Sequence, residues 1–145
     1  TPTEPAPDGL LPIRLHPTPP SYMVDKMTVY GQGWHTSTQW YLKQVEALVK
    51  PGQAVLDFGA GTGILAIDAA RLGATVTACE NDSGAMDLCR RNVVLNWLMV
   101  ACVDVPTETY DLIFANIGPG IKEPGVRELL DGCLKPGGRL VLEVE

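Results

Sequence analysis

Apolar positions change their period repeatedly along this chain. Tyr41, Val45, Leu48 and Val49 fall at i, i+4, i+7 and i+8, which predicts an amphipathic helix over about 36–49, stopped by Lys50-Pro51-Gly52. Ala54–Phe58 reads as a buried strand, and Gly61–Leu72 returns to a helical pattern closed by Gly73. Thr75–Glu80 is a second strand. Asp82 then caps a helix running to about Asn96, with Met86, Cys89 and Val93 on one face. Met99–Val103 and Asp111–Asn116 read as further strands, joined by a connection too short for a full helix. A helix over Gly125–Leu134 turns Val126, Leu129, Leu130, Cys133 and Leu134 inward. Lys135-Pro136-Gly137-Gly138 turns the chain into a last strand, Arg139–Val144, and Trp97 is assigned to the core with Met86 and Val93.

Apolar strands alternating with amphipathic helices predict an α/β fold, a doubly wound, mostly parallel sheet with Ala54–Phe58 at its centre. The ligand crevice then lies at the C-terminal ends of the first, second and fourth strands. That gathers the glycines of 59–63, Glu80 and Asn116 around one site. The last strand would leave an apolar edge, an association hazard. Either further strands complete the sheet, or a protein partner or second copy covers that edge.

The N-terminal part is different in kind. Residues 1–20 hold seven of the 12 prolines, so 1–26 reads as a Pro-rich arm and 27–145 as the ligand-binding domain. Within the arm Leu10–Leu15 is a candidate short strand. Tyr22–Trp34 is expected to be irregular, and His16 receives no role. The chain opens on Thr1 rather than Met, and no leader is expected within it.

At 145 residues one domain is expected, large enough to bury roughly two-thirds of the unfolded chain's surface. The net charge is −6 and the sole adjacent basic pair is Arg90-Arg91, which argues against electrostatic nucleic-acid binding and is compatible with a basic protein substrate. No apolar run reaches the length of a membrane span. Cys79, Cys89, Cys102 and Cys133 lack C-x-x-C spacing. They are read as reduced thiols in a reducing compartment, cytoplasm or an organelle matrix, with no metal site expected.

The candidate chemistry lies in Val55-Leu56-Asp57-Phe58-Gly59-Ala60-Gly61-Thr62-Gly63-Ile64-Leu65-Ala66, a strand, a glycine turn and a helix start. Glycine there permits positive φ and removes Cβ atoms that would hold a ligand off the backbone. Glu80 ends the next strand, placed to accept hydrogen bonds from a ribose. Gly61-Thr62-Gly63-Ile64-Leu65-Ala66 formally fits the dinucleotide fingerprint G-x-G-x-x-A. Counted from Gly59, however, the pattern is Asp57-x-Gly59-x-Gly61-x-Gly63, and an acid at Asp57 repels a pyrophosphate. A cofactor with a cationic centre and no phosphate suits the loop better, and S-adenosylmethionine has both properties.

The whole pattern resembles class I S-adenosylmethionine-dependent methyltransferases, and within them the ribosomal protein L11 methyltransferase family. The residues that carry the resemblance are Tyr30-Gly31-Gln32-Gly33-Trp34-His35-Thr36-Ser37-Thr38, the loop Leu56–Ile67, Ala115-Asn116-Ile117 and Leu134–Leu142. It implies a Rossmann-like methyltransferase fold, here expected to lack the last two strands, and without the family's separate N-terminal substrate-recognition domain. It also implies protein amino groups as methyl acceptors. His35 and Thr38 would contact the cofactor or active site through the entry motif. Asn116 would both touch the cofactor and orient the incoming amine, as the catalytic residue.

Other positions keep two readings. Gly59, Ala60, Gly61 and Gly63 either cradle the methionyl portion or simply form a tight turn; Glu80 either anchors the ribose or is a solvated strand-end carboxylate. Asn81 and Asp82 cap a helix, with Asn81 also a candidate for the adenine pocket. Asp104 either approaches the adenine amino group or is a turn residue before Val105-Pro106. Trp34 and Trp40 are packing or substrate contacts. The rival functions are a methyltransferase-fold binding subunit of a larger assembly without turnover, and a nicotinamide-dependent oxidoreductase.

Overall fold

The computed structural model describes residues 10–13, 22–25 and 36–143. Two short strands, β1 (Leu10–Ile13) and β2 (Tyr22–Asp25), pair antiparallel, with Leu10 opposite Asp25 and Ile13 opposite Tyr22. The segment expected to be irregular from Tyr22 thus begins with a strand, paired along its backbone with Leu10–Ile13.

The main body follows as α1 (Thr36–Leu48), β3 (Ala54–Phe58), α2 (Ile64–Arg71), β4 (Thr75–Cys79), α3 (Ser83–Leu95), β5 (Val100–Val103), β6 (Tyr110–Ala115), a 3-10 helix (Gly118–Lys122), α4 (Val126–Gly132) and β7 (Leu134–Val141). The five strands β3–β7 form a parallel sheet in the order β5-β4-β3-β6-β7, so β3 is central as expected. Alternation along β3 divides the core. Val55 joins Val45, Ile67, Cys89, Val93 and Phe114 on the face covered by α1, α2 and α3. Leu56 joins Tyr110, Ile113, Leu130 and Cys133 on the face covered by α4.

The helix ends have identifiable causes. Asp82 caps α3 by accepting a hydrogen bond from the Ala85 amide at 2.8 Å. Removing that acceptor in Asp82→Ala is expected to cost about 1 kcal/mol in urea denaturation; an unchanged midpoint would show that α3 does not depend on its cap. At the end of α2, Gly73 takes φ +96, and the Gly73 and Ala74 amides donate to Ala70 and Ala69. The same Schellman pattern ends α3, where the Trp97 and Leu98 amides donate to Val94 and Val93 and Trp97 holds φ +57. That geometry corrects the assignment of Trp97 to the core. Its side chain turns outward, 94% exposed, and Leu98 packs inward instead.

Three further boundaries differ from expectation. Helix α2 begins at Ile64 rather than Gly61, because Gly61 and Gly63 hold φ +56 and +86. Helix α4 is shorter than expected and buries Leu130, while Leu129 lies a helical step off that stripe and is exposed. The Lys135–Gly138 segment is a bulge inside β7, not a turn before it. Tyr110 pairs with Leu134 and Leu112 with Arg139, and Gly138 fits there because a Cβ would sit 2.9 Å from the Tyr110 carbonyl. Lys135, Pro136 and Arg139 are exposed along this bulge, features of the kind that blunt a strand edge. Among the described residues no helix is long and apolar enough to cross a membrane.

Candidate functional site

The parallel register of β3 with β4 brings the ends of both strands together, with Phe58 opposite Cys79. The chain then turns through Gly59–Gly63 into α2. The turn is fastened to β4: the Gly59 and Ala60 amides donate to the Cys79 carbonyl at 2.9 and 3.0 Å. Glu80 fastens it again. One carboxylate oxygen accepts from the Gly61 amide at 2.9 Å and the other from the Asp82 amide at 3.0 Å, tying the loop to the start of α3. An ionised carboxylate has about four acceptor positions, so Glu80 keeps roughly two for a ligand hydroxyl.

Two of the three glycines owe their identity to the protein's own packing. A Cβ on Gly59 would lie 2.5 Å from Ile117 Cγ2, and one on Gly63 would lie 2.7 Å from Cys89 Sγ. Both also hold positive φ, +78 and +86. Ile117 and Cys89 occupy the faces that Gly59 and Gly63 leave open, so the packing of the tight turn itself calls for glycine at both positions. Ala60 is buried in the core beneath the turn.

Asp57 lies under the loop. It is 2% exposed, and Oδ2 accepts from the Ala66 amide in the first turn of α2 at 3.1 Å, while Oδ1 has no partner. Burial drives its pKa up to about 7; the Ala66 amide opposes the shift and the nearby Glu80 charge adds to it. Asn92, inside α3, donates to the Thr62 carbonyl at 2.9 Å and steadies the loop from the other side. Sequence reasoning missed Asn92. Its one signal was a polar residue at the edge of the Met86–Cys89–Val93 stripe.

Asn116 emerges from the end of β6, and its backbone carbonyl oxygen is 3.9 Å from where a Gly59 Cβ would stand. The structure thus brings Asn116 beside the glycine loop. On its other side a cavity of about 330 Å³ opens, lined by Tyr41, Asn116, Pro119, Ile121, Lys122 and Glu143 among others. Tyr41, read in sequence only as a stripe residue, has a polar role. Its hydroxyl donates to the Ala115 carbonyl at 2.9 Å and accepts from the Glu143 amide at 2.9 Å, joining α1 to the segment after β7. Ser37 donates to the Glu143 carboxylate at 2.8 Å nearby.

The sequence profile of the ribosomal protein L11 methyltransferase family (PrmA) matches residues 23–142. The chain belongs to this family. It is 37% identical over 141 residues to the ribosomal protein L11 methyltransferase of Wolinella succinogenes, covering 83% of this chain and 51% of that one. With the Aquifex aeolicus relative it shares 39% over 114 residues, 74% of this chain and 46% of that one. The chain spans about half the length of these relatives. The crystal structure of a ribosomal protein L11 methylase from Lactobacillus delbrueckii subsp. bulgaricus superposes with a TM-score of 0.66 at 31% identity, covering 77% of this chain and 62% of that one. A 16S rRNA N2 G1207 methyltransferase from T. thermophilus, in complex with AdoMet and guanosine, superposes at 0.74 and 20% identity over 90% of this chain and 40% of that one, a likeness of fold.

As a member of the L11 methyltransferase family, the chain has the Rossmann-like methyltransferase fold. Of its entry motif, His35 lies outside the described residues. Thr38 is fully buried on α1, with an Oγ1 that has no partner. Asn81 is exposed between β4 and α3, beside Glu80. Asp104 is also exposed, past β5; its backbone carbonyl accepts from the Cys79 thiol at 3.4 Å, which ties its position to the β4 end. Loop, Glu80, Asn81, Asp104 and Asn116 therefore share the C-terminal end of one sheet, where ligands of such folds bind.

Proposed function

We propose that this chain binds S-adenosylmethionine at the Gly59–Gly63 turn and is the catalytic portion of a protein N-methyltransferase of the ribosomal L11 type. The observation that carries the reading is the pair of acids around the loop. Asp57 has an unpartnered oxygen in a buried position and Glu80 has acceptor capacity left over. A cation beside the buried Asp57 would hold it ionised, whereas a pyrophosphate there would be repelled by that charge, so the site favours a cationic ligand without phosphate. This disfavours the nicotinamide reading.

The residues present fit that group. Glu80 would hold the ribose hydroxyls, and Asp57 would answer the positive charge of the methionyl end, beneath the Gly61 backbone. Bound S-adenosylmethionine supplies a methyl on a sulfonium, a good leaving group. The work left to the chain is alignment of an acceptor behind that methyl. Asn116 has the side-chain carbonyl to accept a hydrogen bond from a neutral amine, and it stands between the glycine turn and the 330 Å³ cavity. A Lys amine or an α-amino group of a basic ribosomal protein is the acceptor this implies. The acidic balance of the chain, net −6, favours such a partner.

Titration calorimetry with S-adenosylmethionine tests the cofactor. Glu80→Ala is expected to weaken binding by roughly 1–3 kcal/mol, because a charged acceptor is lost and the Gly61 amide is released. Equal affinity in the two proteins, or tight NADH binding with none for S-adenosylmethionine, would overturn the reading.

A further inference from the structure

The walls of the 330 Å³ cavity begin where strand pairing ends. The β6–β7 ladder closes with Phe114 opposite Val141, so Ala115 and Glu143 lie past its last pair. Tyr41 joins them from α1. Its hydroxyl donates to the Ala115 carbonyl and accepts from the Glu143 amide, both at 2.9 Å, while the residue is only 3% exposed. Without it these two backbone groups would need water. Ser37 lies one helical turn earlier on α1 and donates to Glu143 Oε1 at 2.8 Å. Helix α1 thus grips Glu143 by backbone and by side chain. The grip leaves capacity to spare. Glu143 is half-buried, and its second carboxylate oxygen has no hydrogen bond among the described residues. The cations of the same cavity, Lys122 and Arg127, stand on the 3-10 helix and in α4. Neither is ion-paired to Glu143, and Arg127 is engaged by Asp131 at 3.2 Å.

The rest of the lining includes the apolar side chains of Ala115, Pro119, Ile121 and Leu142. In volume the cavity stands at the small end of ligand pockets, which span roughly 300–1,000 Å³. Apolar walls with a carboxylate that lacks a cationic partner suit an aliphatic stem ending in an ammonium. We propose that Glu143 receives the cationic head of the methyl acceptor in this cavity, as a specificity-determining residue, and that Tyr41 and Ser37 position it. The inference rests on the methyl-transfer reading above for the use to which the bound amine is put. Glu143 acts on the ammonium, the form an alkyl amine takes at neutral pH, and so selects the acceptor before transfer. Tyr41 also holds the carbonyl of Ala115, the residue before Asn116. One hydroxyl therefore fixes the group that selects the amine by charge relative to the amide proposed to orient it.

The test is titration of the isotope-labelled chain with Nα-acetyl-lysine amide and with its uncharged analogue Nα-acetyl-norleucine amide, read by amide NMR shifts without S-adenosylmethionine. Shifts are expected at Asn116, Ile121 and Glu143. The lysine probe should bind about 10-fold more tightly than the norleucine probe, the discrimination one charged hydrogen bond supplies. Glu143→Gln keeps the shape of the side chain and should bring the two probes within about twofold of each other. Tyr41→Phe keeps the ring in the core and should lower the discrimination to about 3-fold; adding Glu143→Gln to it should then change the ratio less than in the wild type. A residue that only supported the fold would weaken both probes alike, so the ratio reports positioning. Equal binding of the two probes by the wild type, no shift at the cavity, or a ratio that survives Glu143→Gln would each overturn the proposal. A chain that takes the lysine probe at the cavity and does not bind S-adenosylmethionine would keep this site and lose the cofactor reading. Binding of S-adenosylmethionine with no discrimination between the probes would do the reverse.

Discussion

Gly63→Ala is expected to destabilise the fold by about 2–5 kcal/mol in urea denaturation. Two costs add. At φ +86 a Cβ meets its own carbonyl, which disfavours alanine by about 1–2 kcal/mol. The new methyl would also lie 2.7 Å from Cys89 Sγ and 3.6 Å from Cys89 Cβ, in a region with no exposed side for either residue. Overpacking of that kind costs roughly 1–3 kcal/mol. The two parts can be separated. Cys89→Ala in the Gly63→Ala background removes the sulfur and returns the packing part, leaving the backbone part. The double mutant should therefore be more stable than the sum of the single effects, with a coupling of about 1–2 kcal/mol. Strict additivity would show that Cys89 is not what requires glycine at 63.

That contact marks the limit of what the chain discloses unaided. Periodicity located the five strands of the main sheet and the four α-helices beside it, and the glycine turn, Glu80 and Asn116 fell on its C-terminal end, because burial on two faces leaves a strong apolar signature in parallel strands. Local pattern could not say which atoms fill the space beside a glycine. Gly59 meets Ile117 and Gly63 meets Cys89, residues 58 and 26 positions away in sequence, and such pairings exist only once the sheet is formed. The same holds for Tyr41, whose ring fits the apolar stripe while its hydroxyl bridges Ala115 and Glu143. Trp97 and Lys135–Gly138 were misread for a different reason. In both places the backbone departs from regular geometry, through a left-handed cap and a bulge, and hydrophobicity alone carries no record of φ. The roles expected of His35 and Asn116 came from the family likeness, since composition and spacing carry no such assignment.

Asp57 should make stability fall as pH rises. Its folded pKa of about 7 stands above the unfolded value of 3.8. Between those values the folded protein holds a proton that the unfolded chain has released. Folding is thus favoured at the acid end, and that advantage is lost as pH climbs to 7, by up to about 4 kcal/mol. The direction is opposite to that of a salt-bridged carboxylate, since burial outweighs the one hydrogen bond from Ala66. Asp57→Asn keeps an oxygen for that amide and removes the charge. Relative to the wild type it should gain stability steadily from pH 5 to pH 7 and level off above, measured as the difference between paired urea titrations so that other titrating groups cancel. Parallel curves would mean that Asp57 is already ionised at pH 5. The same burial that disfavours the carboxylate makes it receptive to a bound cation: a positive group beside the unpartnered Oδ1 holds Asp57 ionised. Binding of S-adenosylmethionine at pH 6 should therefore release a proton in the wild type and none in Asp57→Asn, a difference read by calorimetry in buffers of unlike ionisation enthalpy. Equal proton release in the two proteins would remove Asp57 from the binding site and leave it a purely structural acid.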